Sequence, residues 1–113
     1  MLNSFLAIST NLLSKLDFLI PPLTLEILIE NALKHTVFDK NNPLKIRIYT
    51  REELLIIENN FNPKKNSVKT KSFGIGMKSI KKQYFLLNCG EPSFKIENNI
   101  FKVEIPLIKS SYD

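Results

Sequence analysis

Cys89 is the only cysteine in the chain, which excludes an intrachain disulfide and a cysteine-based zinc site. The expected compartment is therefore reducing, with the cytoplasm as default. His35 is the only histidine, so no multi-histidine metal centre can form. Arginine is scarce: fourteen of the sixteen basic residues are Lys, and only Arg47 and Arg51 are Arg. Long apolar runs are missing too, because Lys15, Asp17, Pro21, Pro22 and Glu26 interrupt them short of the roughly 18–20 residues a membrane-spanning helix needs. The expectation is a soluble chain. No basic leader precedes the first apolar residues, so no targeting segment is assigned, and no internal repeat is visible.

What is present fits one globular domain. The length of 113 residues is about that of a single domain, and 43% apolar with 24% charged residues is ordinary globular composition. The net charge of +5 permits a polyanionic partner without demanding one.

Leu2, Phe5, Leu6, Ser9, Leu12, Leu13 and Leu16 recur at intervals of three and four, which predicts an amphipathic helix over 2–16. Pro22 suits the first turn of a second helix reaching about Val37. Leu44, Ile46 and Ile48, then Leu55 and Ile57, alternate about the polar Thr50-Arg51-Glu52 and predict an antiparallel hairpin. From Asn59 to Ser72 the apolar pattern stops, as in a functional lid or a disordered loop. Gly74-Ile75-Gly76 closes that segment. Met77, Ile80, Tyr84 and Leu87 then form a helical stripe ending near Gly90, a suitable C-terminal cap. Phe94 and Ile96, with Phe101, Val103 and Ile105, predict a second hairpin turning at Asn98-Asn99. Hairpins with intervening helices imply an α+β, two-layer sandwich, with one sheet carrying its helices on a single face.

On the second helix, Leu25, Leu28, Ile29, Ala32 and Leu33 share an arc that should face the core. Glu30, Asn31, Lys34 and His35 share the opposite arc. That arc reads either as a solvated face with a Glu30–Lys34 pair or as a convergent polar site. Asn31 is the odder member, since Asn in a helix interior costs about a few tenths of a kcal/mol. The glycine pair reads either as a turn device or as a phosphate-approach point at a helix start. Seven of the fourteen lysines (64, 65, 69, 71, 78, 81, 82) lie between Glu58 and Glu91, with no acidic residue between those two.

The stretch from Ile20 to His35, Ile-Pro-Pro-Leu-Thr-Leu-Glu-Ile-Leu-Ile-Glu-Asn-Ala-Leu-Lys-His, resembles the N box of GHKL (Bergerat-fold) ATPases in the form found in LytS-type sensor histidine kinases. Gly74 to Ile80 resembles the second glycine box of that family, which follows its ATP lid. Tyr84-Phe-Leu-Leu and Phe101 to Leu107 look like its terminal helix and last strand. The match covers about residues 20–108, leaving 1–19 as an N-terminal segment of unclear match and 109–113 as a tail.

The resemblance implies a Bergerat-type mixed sheet backed by helices, with ATP and Mg²⁺ as ligands. Asn31 would bind the metal and Glu30 would act as the catalytic base or orienting group. Lys34, His35, Asn59, Gly74, Gly76 and Met77 would contact the nucleotide. A phosphoacceptor histidine domain and a response regulator would be partners in the parent system, and any dimer would form through regions outside this chain. The sequence departs from the family at the first glycine box, normally Asp-x-Gly-x-Gly, where it reads Asn59-Asn60-Phe61-Asn62-Pro63. A degenerate domain of the same fold, serving protein interaction without ATP turnover, is the alternative. A small basic nucleic-acid-binding domain is a more distant one: no aromatic-rich strand face suited to base stacking is visible, and no nucleic-acid partner is expected.

Overall fold

A computed structural model describes residues 6–11, 18–20, 23–62 and 71–109. In chain order the elements are β1 (Leu6–Asn11), β2 (Phe18–Leu19), α1 (Thr24–His35), β3 (Leu44–Arg51), β4 (Leu54–Asn60), α2 (Lys71–Leu87), β5 (Ser93–Glu97), β6 (Ile100–Pro106) and β7 (Ile108–Lys109). Most of the lid segment (63–70) and most of the tail (110–113) lie outside the described residues.

The main sheet runs β1-β3-β4-β6-β5. β3, β4, β6 and β5 each run antiparallel to their neighbours, and β1 joins β3 in parallel, with Ile8 opposite Ile46. The layout is thus α+β, as expected. Residues 6–11 are a strand, however, and not part of a helix over 2–16. The leucine spacing of three and four misled there. Ile8 and Thr10 are β-branched, and pairing along the edge of β3 outweighs a weak local helical period. A second, two-stranded sheet joins β2 to β7, so the chain entering α1 lies beside the chain leaving β6.

The alternation in β3 is visible in its burial: Leu44, Ile46 and Ile48 are buried while Lys45 and Arg47 are exposed. Register carries that face across the sheet through Leu55 and Ile57 to Phe101, Val103 and Ile105. Leu28 and Ala32 of α1 and Met77, Ile80 and Tyr84 of α2 complete one hydrophobic core, so both helices sit on the same face. The opposite face carries charged and polar side chains around the fully buried, apolar Ile56. Arg47 pairs with Glu58 at 2.8 Å, the Tyr49 hydroxyl donates to the same carboxylate at 3.2 Å, and Arg51 pairs with Glu104 at 3.2 Å. Both arginines are thus neutralised on that sheet face.

The Asn98-Asn99 turn forms where expected, whereas the first turn, expected at Thr50-Arg51-Glu52, is shifted because pairing with Leu55 and Leu54 keeps Thr50 and Arg51 in β3. The β3–β4 hairpin turns through Glu52-Glu53, with Glu52 at φ 56°, and the β5–β6 hairpin through Asn98-Asn99, at φ 53° and 61°. Two successive positive φ values favour Asn, whose side chain tolerates the left-handed region. At the end of α2 Asn88, at φ 53°, directly follows the last helical residue and takes the capping position, while Gly90, at φ 103°, lies two residues further on. Cys89 N–H donates to Tyr84 C=O, and Asn88 N–H donates to Phe85 C=O. This reciprocal pair satisfies the last carbonyls of the helix. Among the described residues no helix is long and apolar enough to cross a membrane.

Candidate functional site

Helix α1 positions the residues singled out in the sequence. Glu26 in its first turn and Lys34 in its last complement the helix dipole. The buried stripe runs Thr24, Leu28, Ala32, His35, at spacings of four, four and three. The expected polar arc is therefore split. His35 is 4% exposed and belongs to the buried stripe, Asn31 is half-buried beside it, and Glu30 and Lys34 are in solvent. Glu30 and Lys34 make no ion pair with any described residue. The arc estimated from periodicity alone misses the surface that β4 and β6 present to the last turn of the helix.

On the sheet, Asn59 is buried near the end of β4, and its Nδ2 donates to the Asn60 carbonyl at 2.8 Å. Asn60 accepts from the Lys45 amide at 2.7 Å and donates to the Pro43 carbonyl at 3.1 Å, locking the end of β4 to the start of β3. The chain leaving β4 is tied on both sides. Phe61 N–H donates to Asn99 C=O, and Asn62 C=O accepts from Val37 N–H, both at 2.7 Å. Phe61 is buried, its ring centroid 5.7 Å from that of Phe101, and Phe101 stacks on Phe94 at 5.7 Å.

These elements enclose a cavity between α1 and the sheet. Asn31, His35 and Thr36 line it from the helix and its exit, Asn59 and Phe61 from β4 and its exit, and Phe101 from β6. Three residues singled out in the sequence, Asn31, His35 and Asn59, thus meet although 24 positions separate His35 from Asn59. The free space is about 10 Å³, room for a single water and far less than a purine needs. Thr36 and Phe61 are lining residues that sequence reading did not single out. Thr36 follows the last helical residue and carries no pattern of its own, whereas Phe61 was visible as an aromatic at a position where glycine was sought.

The glycine pair is placed differently from the expectation. Helix α2 begins at Lys71, so Gly74 and Gly76 lie within it and not at a loop-to-helix entry. Gly76 has a packing reason. A Cβ there would stand 2.6 Å from Ile27 Cγ2, so glycine lets α2 approach α1 closely. Met77 is buried in the core and does not line the cavity. Of the seven clustered lysines, Lys78 and Lys82 are exposed on α2, and Lys81 lies with its Nζ 5.5 Å from the centroid of the Phe94 ring.

Asn31 makes no hydrogen bond to a described residue, so its amide oxygen is open to a hard cation. No three His, Cys, Asp or Glu side chains among the described residues come together as a metal site. No family model matches the chain, and no curated protein matches it. What the geometry defines is an α+β domain with two helices on one sheet face and a small, partly polar cavity beneath α1.

Proposed function

We propose that the chain is the ATP-binding catalytic domain of a two-component sensor histidine kinase, of the GHKL (Bergerat) type. The observation that carries this reading is the convergence of Asn31 and His35, from the box at the end of α1, with Asn59, from the end of β4, on one cavity. Apolar walls with a few convergent polar groups are the usual make-up of a small-molecule site. Asn31 would hold Mg²⁺, and Glu30 on the solvent side would orient the phosphoryl acceptor. Lys34 and the lysines of α2 would balance phosphate charge. Bound Mg²⁺ would supply charge neutralisation at the transferred phosphoryl, while the residues around it supply positioning. The acceptor histidine must come from another segment or chain, because His35 is buried within the site.

The test is titration of the protein with a nonhydrolysable ATP analogue, with and without Mg²⁺. Saturable binding strengthened by Mg²⁺ is expected, and no binding at millimolar nucleotide overturns the reading. A second reading, the degenerate domain serving protein interaction, is favoured by the small cavity and by Phe61 at its wall. It predicts that nucleotide gives residues 63–70 no protection from proteolysis.

A further inference from the structure

The cavity has polar groups in place but no room for a ring. Phe61 is buried at its wall, and its backbone is fixed by the bonds from Phe61 N–H to Asn99 C=O and from Val37 N–H to Asn62 C=O. Only its side chain can move without breaking those bonds. Thr36 is 1% exposed, and its Oγ1 has no hydrogen-bond partner among the described residues. A buried hydroxyl in that state carries a desolvation penalty that a bound water or ligand atom would relieve. On the other wall, Asn59 uses its Nδ2 on the Asn60 carbonyl, which leaves the amide oxygen as the group available for recognition.

We propose that Phe61 is the gate of this cavity. Its ring holds the place of a planar heteroaromatic base, and ligand entry turns it aside by side-chain rotation. The incoming base is that of the nucleotide proposed above, whose exocyclic N–H to the Asn59 amide oxygen that reading already implies; the added contact is a second polar atom of the base to Thr36 Oγ1. This proposal rests on reading the cavity as a nucleotide site. It adds two residues that set affinity, Phe61 at the place where the first glycine box would carry a glycine and Thr36 outside the boxes altogether. The cost of displacing a packed aromatic side chain makes the native site weak for the nucleoside portion alone, so binding depends on the phosphates.

The test titrates adenosine, guanosine and the ATP analogue against the native protein, Phe61→Ala, Phe61→Leu and Phe61→Ala/Thr36→Val. Phe61→Ala is expected to raise adenosine affinity at least tenfold over native, with Phe61→Leu intermediate and guanosine little changed. Adding Thr36→Val should remove most of that gain while leaving the thermal midpoint of Phe61→Ala unchanged or higher, as a purely structural hydroxyl would not. If Phe61→Ala does not fold, Phe61→Leu and the ring resonances of ¹³C-labelled Phe61 in the native protein decide. Those resonances must shift when the analogue saturates. Equal adenosine affinity in native and Phe61 variants, with the analogue bound by both, overturns the gate and leaves the proposed function standing. Adenosine bound by Phe61→Ala with no analogue bound by the native protein supports the gate and overturns the kinase reading. No binding by any variant overturns both.

Discussion

Ile27 of α1 and Gly76 of α2 meet where a Cβ on the glycine would come within 2.6 Å of the isoleucine Cγ2. The contact fixes how closely the two helices lie over the sheet, and therefore how α1 presents Asn31 and His35 to the end of β4.

Gly76→Ala is expected to destabilise the domain. A helical alanine gains up to about 1 kcal/mol over glycine, but the methyl meets a β-branch carbon that has little freedom to yield, and overpacking of this kind costs about 1–3 kcal/mol. The net loss should be about 1–2 kcal/mol, read as a lower urea midpoint at unchanged m-value. A midpoint equal to or above native would mean that the helices separate without cost.

The Tyr84 hydroxyl, on a side chain with no exposure, donates to the Pro106 carbonyl and ties α2 to the end of β6. Tyr84→Phe leaves that carbonyl without its donor and should cost about 1–2 kcal/mol. The phenol is held well above its ordinary 10.0, first by burial and second by the nearby Cys89. Below pH 10 both states keep the proton and stability is unaffected. Above it the unfolded chain releases the proton while the folded chain retains it, so stability falls with a limiting slope of about 1.4 kcal/mol per pH unit. Denaturant midpoints from pH 9 to 11.5 should drop less steeply in Tyr84→Phe than in the native protein.

Leu23 precedes α1 at φ 67° and is 59% exposed. A leucine in the left-handed region is strained by about 1 kcal/mol or more and here gains little from burial. Leu23→Gly should raise stability by about 0.5–1 kcal/mol in a thermal melt. A loss would show that the side chain contributes packing that outweighs its backbone strain.

Asn31→Ala bears on the metal role alone. The residue is half-buried and makes no hydrogen bond to a described residue, so its removal should change the melting temperature little. The Mg²⁺-dependent part of the nucleotide affinity should disappear in calorimetry while the Mg²⁺-independent part remains. An unchanged Mg²⁺ response would remove Asn31 from the site.

How far the sequence predicted the molecule depends on whether a feature is local. Both hairpins were legible, because alternation and the Asn98-Asn99 turn are decided within a few residues. The stripe Met77, Ile80, Tyr84 on α2 was legible for the same reason, whereas its last member, Leu87, proves to be 53% exposed at the helix end. The strand β1 was not, since its conformation depends on pairing with Ile46 and its neighbours far along the chain. Ile96 and Phe94 alternate as expected yet stay partly exposed, because β5 is the sheet edge, and strand order is not written in alternation. Within the candidate site, Asn31 and His35 could be named from residue type and helical phase, and Asn59 only through the resemblance of its stretch to a family box. That His35 lies inside and Lys34 outside depends on where β4 and β6 meet the helix, and the closure by Phe61 is a property of packed volume.

The parallel pairing of β1 with β3 also bears on association between molecules. β3 is eight residues long, presents Leu44, Ile46 and Ile48 on one face, and among the described residues is bordered on one side by β1 alone. Without that cover its amides and carbonyls would form an open template, the kind of long apolar strand edge that recruits another chain. Deleting residues 1–11 should therefore produce self-association by edge pairing before it produces unfolding, visible as concentration-dependent sedimentation at retained β-sheet content.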